Sequence, residues 1–250
     1  MARVVGVIPA RWASTRFPGK ALHVICGKSL LQWVVERARG ARGLAELLVA
    51  TDDDRIRAAA ASYGVRAVMT SPNHPSGTDR IAEAIRGIQA DAAVNIQGDE
   101  PLVQPAVIDQ LAAAVGSDDA WDMATAATPM HNPALIAQPS VVKVVAAADG
   151  RALYFSRATI PFDRDGGAVR EKEPVYLRHI GIYAYRRDFL ERLVREPPCL
   201  TERLEKLEQL RALHLGARMK VLVVEDHGIG VDTPEDAVRA EAALRAAGLA

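Results

Sequence analysis

The stretch VVGVIPARWASTRFPGK, residues 4–20, joins a short apolar run to a loop rich in cationic and hydroxyl side chains. Its β-branched start, Val4–Ile8, predicts a buried first strand. Loops at the carboxyl ends of parallel strands are where open α/β sheets bind ligands. We therefore predict an α/β fold with a phosphate-binding loop directly after its first strand. The polar side chains that this loop offers to an anion are Arg11, Ser14, Thr15, Arg16 and Lys20.

This loop does not follow the Walker A pattern, because Ser14 stands where that pattern requires glycine and Ala21 where it requires a hydroxyl. The chain also lacks a dinucleotide fingerprint, since Gly228 and Gly230 have no third glycine and follow the last predicted strand. The alternative interpretation is a solvated basic loop that only closes a strand. Three cations within ten residues favour a polyphosphate ligand instead.

Short β-branched runs alternate with segments of helical periodicity through the first 115 residues. This alternation predicts a parallel sheet with helices on both faces. Ser29 is a good N-cap for the first helix, and Gly64 is a good stop for the second. Beyond the first strand, the predicted strands are 47–50, 66–70 and 92–97, and the later predicted helices are 54–62, 79–88 and 105–115.

The second half of the chain has a different pattern, with strands joined by short connections that predict antiparallel or mixed pairing. A polar segment with two adjacent glycines, 163–174, predicts a loop or a linker. We expect the closing strand and helix to return to the first sheet, so that the chain is one domain. The predicted strands are 123–129, 141–147, 152–157, 179–186 and 220–225, and the predicted helices are 201–215 and 234–247.

Composition places the chain among ordinary globular proteins, since its 250 residues are 49% hydrophobic with 31 basic and 31 acidic side chains. Zero net charge argues against broad binding to nucleic acid or to a membrane surface. The two cysteines, Cys26 and Cys199, form no metal or disulfide pattern, which favours a reducing compartment. The first apolar run is too short for a signal peptide or a membrane span, so we expect a cytoplasmic protein.

Two acidic motifs are candidates for a divalent cation. In NIQGDEP, residues 95–101, Asp99 follows a glycine at the end of a predicted strand, and Mg²⁺ prefers carboxylates together with waters and phosphates. In GIGVDTPED, residues 228–236, Asp232 could lie beside Asp99 across the sheet. Simple turn formation explains the first motif about equally well, and helix capping by Thr233 or Asp232 explains the second better when it is taken alone.

Further polar groups suggest a ligand less strongly. SGTDR, residues 76–80, opens a helix whose N-terminus could bind an anion or a base edge, although capping by Thr78 is the commoner explanation. Glu205, Glu208 and Gln209 are predicted to share one helix face, and a solvated face is the simpler interpretation. His179 is most simply a hydrogen-bonded sheet histidine. The other candidates in this half are Arg157 and Tyr183.

Seven blocks in order resemble the 3-deoxy-manno-octulosonate cytidylyltransferases, the CMP-Kdo synthetases: VIPARWASTRFPGKAL, SGTDRIAE, NIQGDEP, YFSRATIPFDRD, LRHIGIYAYR, LEQLR and GVDTPED. The resemblance implies a nucleotide-diphospho-sugar transferase fold, a Rossmann-like mixed sheet with helices on both faces and a smaller subdomain for dimerisation and sugar binding. It also implies a cytoplasmic homodimer that uses Mg²⁺ to convert CTP and Kdo into CMP-Kdo and pyrophosphate. CMP-Kdo is the activated sugar of the lipopolysaccharide inner core.

The resemblance further assigns roles to individual residues. The residues implied in catalysis are Arg11, Arg16, Lys20, Asp99 and Asp232, with Mg²⁺ on the last two. The nucleotide site is implied at Pro9, Ala10, Arg11, Ser14, Arg16, Lys20, Gln97 and Asp99, with Ser76, Gly77, Thr78 and Arg80 around cytosine. The sugar pocket is implied at Gln97, Arg157, His179, Tyr183, Glu208 and Gln209, where Arg157 would hold the sugar carboxylate through a bidentate fork.

The implied nucleotide-binding part covers about residues 1–120 and 218–250, and the sugar-binding and dimerisation part about 121–217. Trp12 stands where this family commonly has tyrosine, Ala21 replaces a frequent proline, and residues 226–227 also depart from its pattern. The nearest alternative is a cytidylyltransferase for sialic acid or 8-amino-Kdo. A non-catalytic nucleotide sensor is disfavoured, because the carboxylates and cations of the implied mechanism are all present.

Overall fold

The computed structural model describes residues 2–13, 16–117, 121–167, 175–225 and 228–250. Ser14, Thr15 and part of the predicted loop 163–174 lie outside the described residues. So do residues 226–227 of the last glycine motif.

One mixed sheet and a small two-stranded sheet form the framework of the chain. The strands are β1 (Val4–Ala10), β2 (Val24–Ile25), β3 (Lys28–Ser29), β4 (Glu46–Thr51), β5 (Arg66–Met69), β6 (Ala92–Asn95), β7 (Met123–Met130), β8 (Lys143–Ala146), β9 (Ala152–Ser156), β10 (Tyr176–Arg186) and β11 (Met219–Val223). The helices are α1 (Leu30–Ala38), α2 (Asp54–Ser62), α3 (Gly77–Ala84), α4 (Pro105–Ser117), α5 (Pro133–Ile136), α6 (Arg187–Arg195), α7 (Leu200–Glu205), α8 (Gln209–His214) and α9 (Pro234–Ala246).

The order of strands across the large sheet is β11-β7-β10-β6-β1-β4-β5. The first-half strands pair in parallel, as the alternation of strands and helices predicts. β10 runs antiparallel between β6 and β7, and β8 and β9 extend from it as an antiparallel pair. The predicted α/β fold with a mixed sheet is therefore confirmed.

The first strand is apolar throughout because helices cover both of its faces. Val5 and Val7 belong to the hydrophobic cluster that also contains Ile81 of α3. Val4 and Ile8 belong to the opposite cluster, which contains residues of α1 and α4. Alternate side chains of a strand point to opposite faces, so a continuous apolar run indicates burial on both sides.

Several predicted helix ends are confirmed by their capping contacts. The Ser29 hydroxyl accepts a hydrogen bond from the Gln32 amide at 3.0 Å, and Gly64 after α2 has a φ of 69°. At α9, Thr233 and Asp236 form a capping box, which leaves the Asp232 side chain for other contacts. β11 joins the large sheet beside β7, and α9 packs against β2, so the closing elements do return to the framework.

The predicted long helix over 201–215 is wrong. Lys206 adopts the left-handed conformation with a φ of 54°, and the chain breaks there into α7 and α8. The break turns Leu207 into the core, where it is only 6% exposed. Glu205 and Glu208 therefore do not share a helix face with Gln209, contrary to prediction. Within the described part of the chain, no helix is long and apolar enough to cross a membrane.

Candidate active site

Three segments distant in sequence meet at the carboxyl ends of β1 and β6. The segment after β6 passes so close to β1 that a Cβ at Gly98 would lie 2.7 Å from the main-chain oxygen of Pro9. Glycine is required there because no side chain fits that gap. The segment before α9 joins them through a 2.9 Å hydrogen bond from the Val231 amide to the Asp99 carbonyl. This contact places Asp232 beside Asp99, as the sequence predicts.

Lys20 connects the phosphate loop to both carboxylates. Its Nζ lies 2.8 Å from Oδ2 of Asp99 and 3.0 Å from Oδ1 of Asp232. Arg16 reaches the other oxygen of Asp232, with Nη2 3.0 Å from Oδ2. Two of the three predicted loop cations, Arg16 and Lys20, thus form one cluster with both predicted metal carboxylates.

The charged state of Lys20 is stabilised by this cluster. Partial burial disfavours the ammonium, but the Asp99 and Asp232 carboxylates outweigh it and raise the pKa of Lys20 above its ordinary value. Lys20 therefore stays cationic at physiological pH. A cation held at this point can later pair with phosphate oxygens at little electrostatic cost, since one anionic partner replaces another.

Two adjacent cavities open at this edge of the sheet, and they share four lining residues: Pro9, Ala10, Arg11 and Gln97. The first, the charged cavity, is further lined by Arg16, Lys20, Ala21, Gly98, Asp99 and Asp232. The second, the α3 cavity, is further lined by His74, Pro75, Ser76, Gly77 and Arg80. Their contiguity suits a ligand with a polyphosphate at one end and a planar group at the other.

The N-terminus of α3 is built by its own polar side chains. Ser76 caps the helix by accepting from the Asp79 amide at 3.3 Å, so the alternative that Thr78 caps it is wrong. The Thr78 hydroxyl instead donates to Glu208, which connects α3 to α8. Arg80 is 4% exposed and is held by Asp52, whose Oδ2 lies 2.8 Å from Nη2. These contacts fix the wall of the α3 cavity before any ligand binds.

His74 lines the α3 cavity and was not selected from the sequence. Its ring nitrogen Nε2 contacts the Glu83 carboxylate, which also accepts from the Ser71 amide at 2.9 Å. The Ser71 amide and then His74 lower the pKa of Glu83. The position of His74 two residues before SGTDR was the signal that could have identified it.

The predicted sugar residues on β10 lie together next to a bulge between Ile180 and Tyr183. The His179 and Tyr183 rings are 5.4 Å apart between centroids. Nε2 of His179 lies 3.0 Å from the Thr125 hydroxyl, which donates to the Ile182 carbonyl at 2.8 Å. His179 is therefore a hydrogen-bonded sheet histidine, as the simpler interpretation holds, and its ring still contacts Tyr183.

Burial is the main cause of the pKa shifts of His179 and Tyr183. It lowers the pKa of His179 to about 3, with a smaller contribution from Arg178. It also raises the pKa of Tyr183, as does the charge of Glu208. Both side chains are consequently neutral at physiological pH and offer hydrogen-bonding groups without charge.

The guanidinium of Arg157 donates its hydrogen bonds to main-chain carbonyls of other residues. Its Nε donates to the Glu205 carbonyl at 2.6 Å and its Nη1 to the Pro139 carbonyl at 3.1 Å. Its own amide donates to the Glu205 carboxylate at 2.9 Å. Arg157 thus caps the end of α7, where the break at Lys206 leaves carbonyls without helical partners.

Lys143 supports the same segment and was missed by the sequence analysis. It is fully buried, and its Nζ donates to the carbonyls of Gln138, Val141 and Arg157 at 3.1, 2.7 and 2.6 Å. Burial lowers the pKa of this ammonium. A single lysine within the apolar run VVKVV was the available signal, because a buried cation needs a full set of partners.

Gln209 has a buried side-chain donor that is not paired within the described residues. The residue is 5% exposed, and its Nε2 has no hydrogen-bond partner within the described residues. A buried amide group without a partner costs about 1–3 kcal/mol.

Asp99 and Asp232 fit a divalent cation. One oxygen of each reaches the same ammonium of Lys20, so both carboxylates converge on a single cationic centre. In the described ranges, no cluster of three or more acidic, histidine or cysteine side chains could hold a metal. Two carboxylates completed by waters and ligand phosphates are the usual environment of Mg²⁺.

Comparison with known proteins first shows the class of protein. The family model described as "Cytidylyltransferase" matches residues 5–220. A 3-deoxy-manno-octulosonate cytidylyltransferase of Bdellovibrio bacteriovorus is 48% identical over 99% of this chain and 100% of its own. The enzyme of the same name from Syntrophobacter fumaroxidans is 51% identical over 94% of each chain. The chain therefore belongs to the family of 3-deoxy-manno-octulosonate cytidylyltransferases.

Solved structures agree with this assignment. A CMP:2-keto-3-deoxy-manno-octonic acid synthetase complexed with CTP superposes with a TM-score of 0.92 at 42% identity, covering 98% of this chain and 100% of that one. A 4-diphosphocytidyl-2C-methyl-D-erythritol synthase from Anaerococcus prevotii shares the fold, with a TM-score of 0.64 at 16% identity, covering 98% of this chain and 99% of its own. The nucleotidyltransferase fold that the sequence predicts is confirmed.

Proposed function

We propose that this chain activates Kdo by transferring the cytidylyl group of CTP to it, with release of pyrophosphate. The observation that carries this proposal is the cluster of Lys20, Arg16, Asp99 and Asp232 in a cavity continuous with the α3 cavity. The family to which the chain belongs indicates the two substrates, CTP and Kdo. CMP-Kdo made in this way would serve lipopolysaccharide synthesis.

In this reaction the anomeric hydroxyl oxygen of Kdo forms a bond to the α-phosphorus of CTP. The bond from that phosphorus to the β-bridging oxygen breaks, the hydroxyl proton goes to solvent, and pyrophosphate leaves. Transfer of this kind depends mainly on positioning and on neutralisation of charge. Arg11, Arg16 and Lys20 supply that positive charge from the loop after β1.

Lys20 is proposed to exchange partners when CTP binds. Its ammonium now holds Asp99 and Asp232 and would move to the departing phosphates, which leaves both carboxylates for Mg²⁺. Mg²⁺ bound there would supply a Lewis acid for the phosphoryl oxygens. Asp99 and Asp232 orient that site because the 2.9 Å hydrogen bond between Val231 and Asp99 joins the segments that carry them.

The nucleotide and the sugar are proposed to occupy different sides of Gln97. Cytosine would lie in the α3 cavity against Ser76, Gly77 and Arg80. Kdo would lie toward Tyr183, which pairs with Asn95 across β6 and β10. The residues that complete the proposed sugar pocket are Arg157, His179, Glu208 and Gln209.

Arg157 can take the proposed role in carboxylate binding only by changing partners. Its guanidinium now donates to the carbonyls of Pro139 and Glu205. A sugar carboxylate would offer it a charged acceptor, which it can bind through two parallel hydrogen bonds, in place of neutral carbonyls. Lys143 and the Glu205 carboxylate would hold the main chain of Arg157 during that exchange.

A homodimer is also proposed, on the basis of exposed apolar side chains in the predicted dimerisation part. Phe162 is 85% exposed, Leu204 is 73% exposed and Leu153 of β9 is 50% exposed. Burying such side chains between two copies of the chain would remove them from water. Light scattering should give about twice the chain mass of 26.9 kDa. The cytoplasmic location expected from the sequence stays a prediction.

Pyrophosphate release tests the proposed activity. Purified protein with CTP and Mg²⁺ should release pyrophosphate with Kdo, and much less with N-acetylneuraminate or with no sugar. EDTA should abolish the release. Release with neuraminate alone would keep the nucleotide site and overturn the proposed sugar, whereas release with Kdo that persists in EDTA would overturn the role of Mg²⁺.

A further inference from the structure

Trp12 lies in the phosphate loop between the predicted cations Arg11 and Arg16. Its main-chain oxygen accepts a 3.1 Å hydrogen bond from the Gly19 amide, which closes the base of the loop. Its ring lies so close to Gly19 that a Cβ there would come within 3.1 Å of two ring carbons. Gly19 also has a φ of 71°, which a larger residue adopts only with strain. The place of Trp12 therefore fixes the place of Gly19 and of Lys20, the next residue.

The Trp12 ring is also covered by Arg55. The Arg55 guanidinium carbon lies 3.4 Å from the centre of the ring, a stacked cation–π contact. Arg55 comes from the first turn of α2, which follows β4, the strand that pairs with β1. The contact thus connects a neighbouring helix to the phosphate loop.

Arg55 is itself fixed by a carboxylate. Asp53 receives two hydrogen bonds from its guanidinium, from Nε to Oδ1 at 2.9 Å and from Nη2 to Oδ2 at 2.6 Å. The bond from Arg55 lowers the pKa of Asp53, so the carboxylate is charged at physiological pH. Asp53 also caps α2 by accepting from the Arg55 amide at 2.9 Å. A bidentate fork of this kind sets the plane of the guanidinium and so the face that Trp12 meets.

We infer that Arg55 is a positioning residue for CTP, because it holds Trp12 and thereby the loop that places Lys20. The inference rests on the proposed function, since CTP is the ligand of that loop. Arg55 lines neither the charged cavity nor the α3 cavity, so it acts through Trp12 and not by contact with the nucleotide. A surface ion pair between Arg55 and Asp53 alone would contribute little.

The same helix provides a matched control. Arg57 is 57% exposed and Arg55 is 56% exposed, and Arg57 pairs with Asp54 through a 2.9 Å contact. The two arginines therefore have equal charge, similar exposure and one carboxylate partner each. They differ in the stack on Trp12.

The test compares steady-state kinetics of Arg55→Ala and Arg57→Ala. Arg55→Ala should raise KM for CTP about fivefold to tenfold, the loss expected for a stack of this strength, and leave KM for Kdo within twofold. Arg57→Ala should leave both values unchanged. Equal effects of the two substitutions, or an equal rise of both KM values in Arg55→Ala, would overturn the inference.

A double-mutant cycle tests whether the effect passes through the tryptophan. Trp12→Ala should weaken CTP binding like Arg55→Ala, and the double variant should be no weaker than either. Trp12→Tyr should retain the wild-type KM because it keeps an aromatic face. Full additivity of the two alanine substitutions would contradict positioning through the stack.

Calorimetric titration of CTP separates this inference from the proposed function. If wild-type protein binds CTP but transfers it to no sugar, the proposed reaction fails while the expected Kd difference between Arg55→Ala and Arg57→Ala still holds. Equal Kd values in the two variants would overturn the inference even if the enzyme is active. Equal melting temperatures confirm that both variants are folded.

Discussion

The phosphate side and the sugar side of the site are organised differently. On the phosphate side, charged side chains contact one another directly: Lys20 holds Asp99 and Asp232, and Arg16 holds Asp232. On the sugar side, the Arg157 guanidinium donates to the main-chain carbonyls of Glu205 and Pro139. The first arrangement exchanges one ionic partner for another when ligands arrive, whereas the second must break contacts that stabilise α7.

Because of this difference, we expect substitutions on the two sides to have different effects on activity and stability. Loss of a charge on the phosphate side should leave the fold intact, because the ion pairs of those side chains are made within the site. It should weaken CTP binding or slow the chemical step. Loss of a group on the sugar side should affect stability and sugar affinity together.

The largest expected effect is on the chemical step. Asp99→Asn removes one of the two carboxylates that reach Lys20, and we expect kcat to fall roughly a thousandfold at saturating Mg²⁺. The melting temperature should change little. The exposed Glu235→Gln on α9 is the control for loss of a nearby carboxylate. Turnover near that of the wild type would remove Asp99 from the mechanism.

Lys20→Met should lower kcat/KM for CTP roughly a hundredfold, because it removes a cation from the phosphate loop. It also leaves Asp99 and Asp232 without their shared ammonium. Mg²⁺ without nucleotide should therefore raise the melting temperature of this variant more than that of the wild type. Lys28→Met, which removes a different lysine–carboxylate pair, should not show the added response to Mg²⁺. An equal response in both variants would show that the carboxylates do not form one cation site.

The phosphate side could be predicted from sequence because its residues follow strand ends in short motifs. Asp99 lies in the segment after β6, and Lys20 lies in the loop after β1, so topology alone brings them to one edge. The proximity of Asp232 required only that the closing segment return to that edge. Gly98 shows the limit of this reasoning, since the close approach to Pro9 is visible only in three dimensions.

The sugar side could be predicted only in part, because its geometry depends on packing between distant segments. The helical pattern of 201–215 gave no sign of the break at Lys206, which burial of Leu207 in the core explains. The contacts of Glu205 with Arg157 depend on that break. The family resemblance identified Arg157 but not Lys143. Lys143, on β8, donates a hydrogen bond to the Arg157 carbonyl.

Arg157→Ala should raise KM for Kdo about tenfold and leave KM for CTP within twofold. It should also lower the free energy of unfolding by about 1–3 kcal/mol, since carbonyls at the end of α7 lose their donor. Arg203→Ala is the control, because Arg203 also donates to a carbonyl, that of Pro198. Equal increases in both KM values would contradict a role in sugar binding.

His179 is expected to make the stability of the fold depend on pH. Its pKa is about 3 in the folded chain against an ordinary value of 6.5, so its contribution to stability is complete above pH 6.5 and is lost as the pH falls toward 3. Between pH 7 and pH 5 the wild type should lose about 2 kcal/mol more stability than His179→Gln. Denaturant unfolding at both pH values measures this, with the exposed His214→Gln as control. An identical pH dependence of wild type and His179→Gln would show that His179 is not neutral in the fold.

Equilibrium binding of CTP tests the division between the two sides most directly. Calorimetric titration of CTP with Mg²⁺, in the absence of Kdo, should give Kd values for wild type and Arg157→Ala that agree within twofold. Lys20→Met should bind at least about tenfold more weakly. If Arg157→Ala weakens CTP binding as much as Lys20→Met does, the two sides are not separate and this account of the site is wrong.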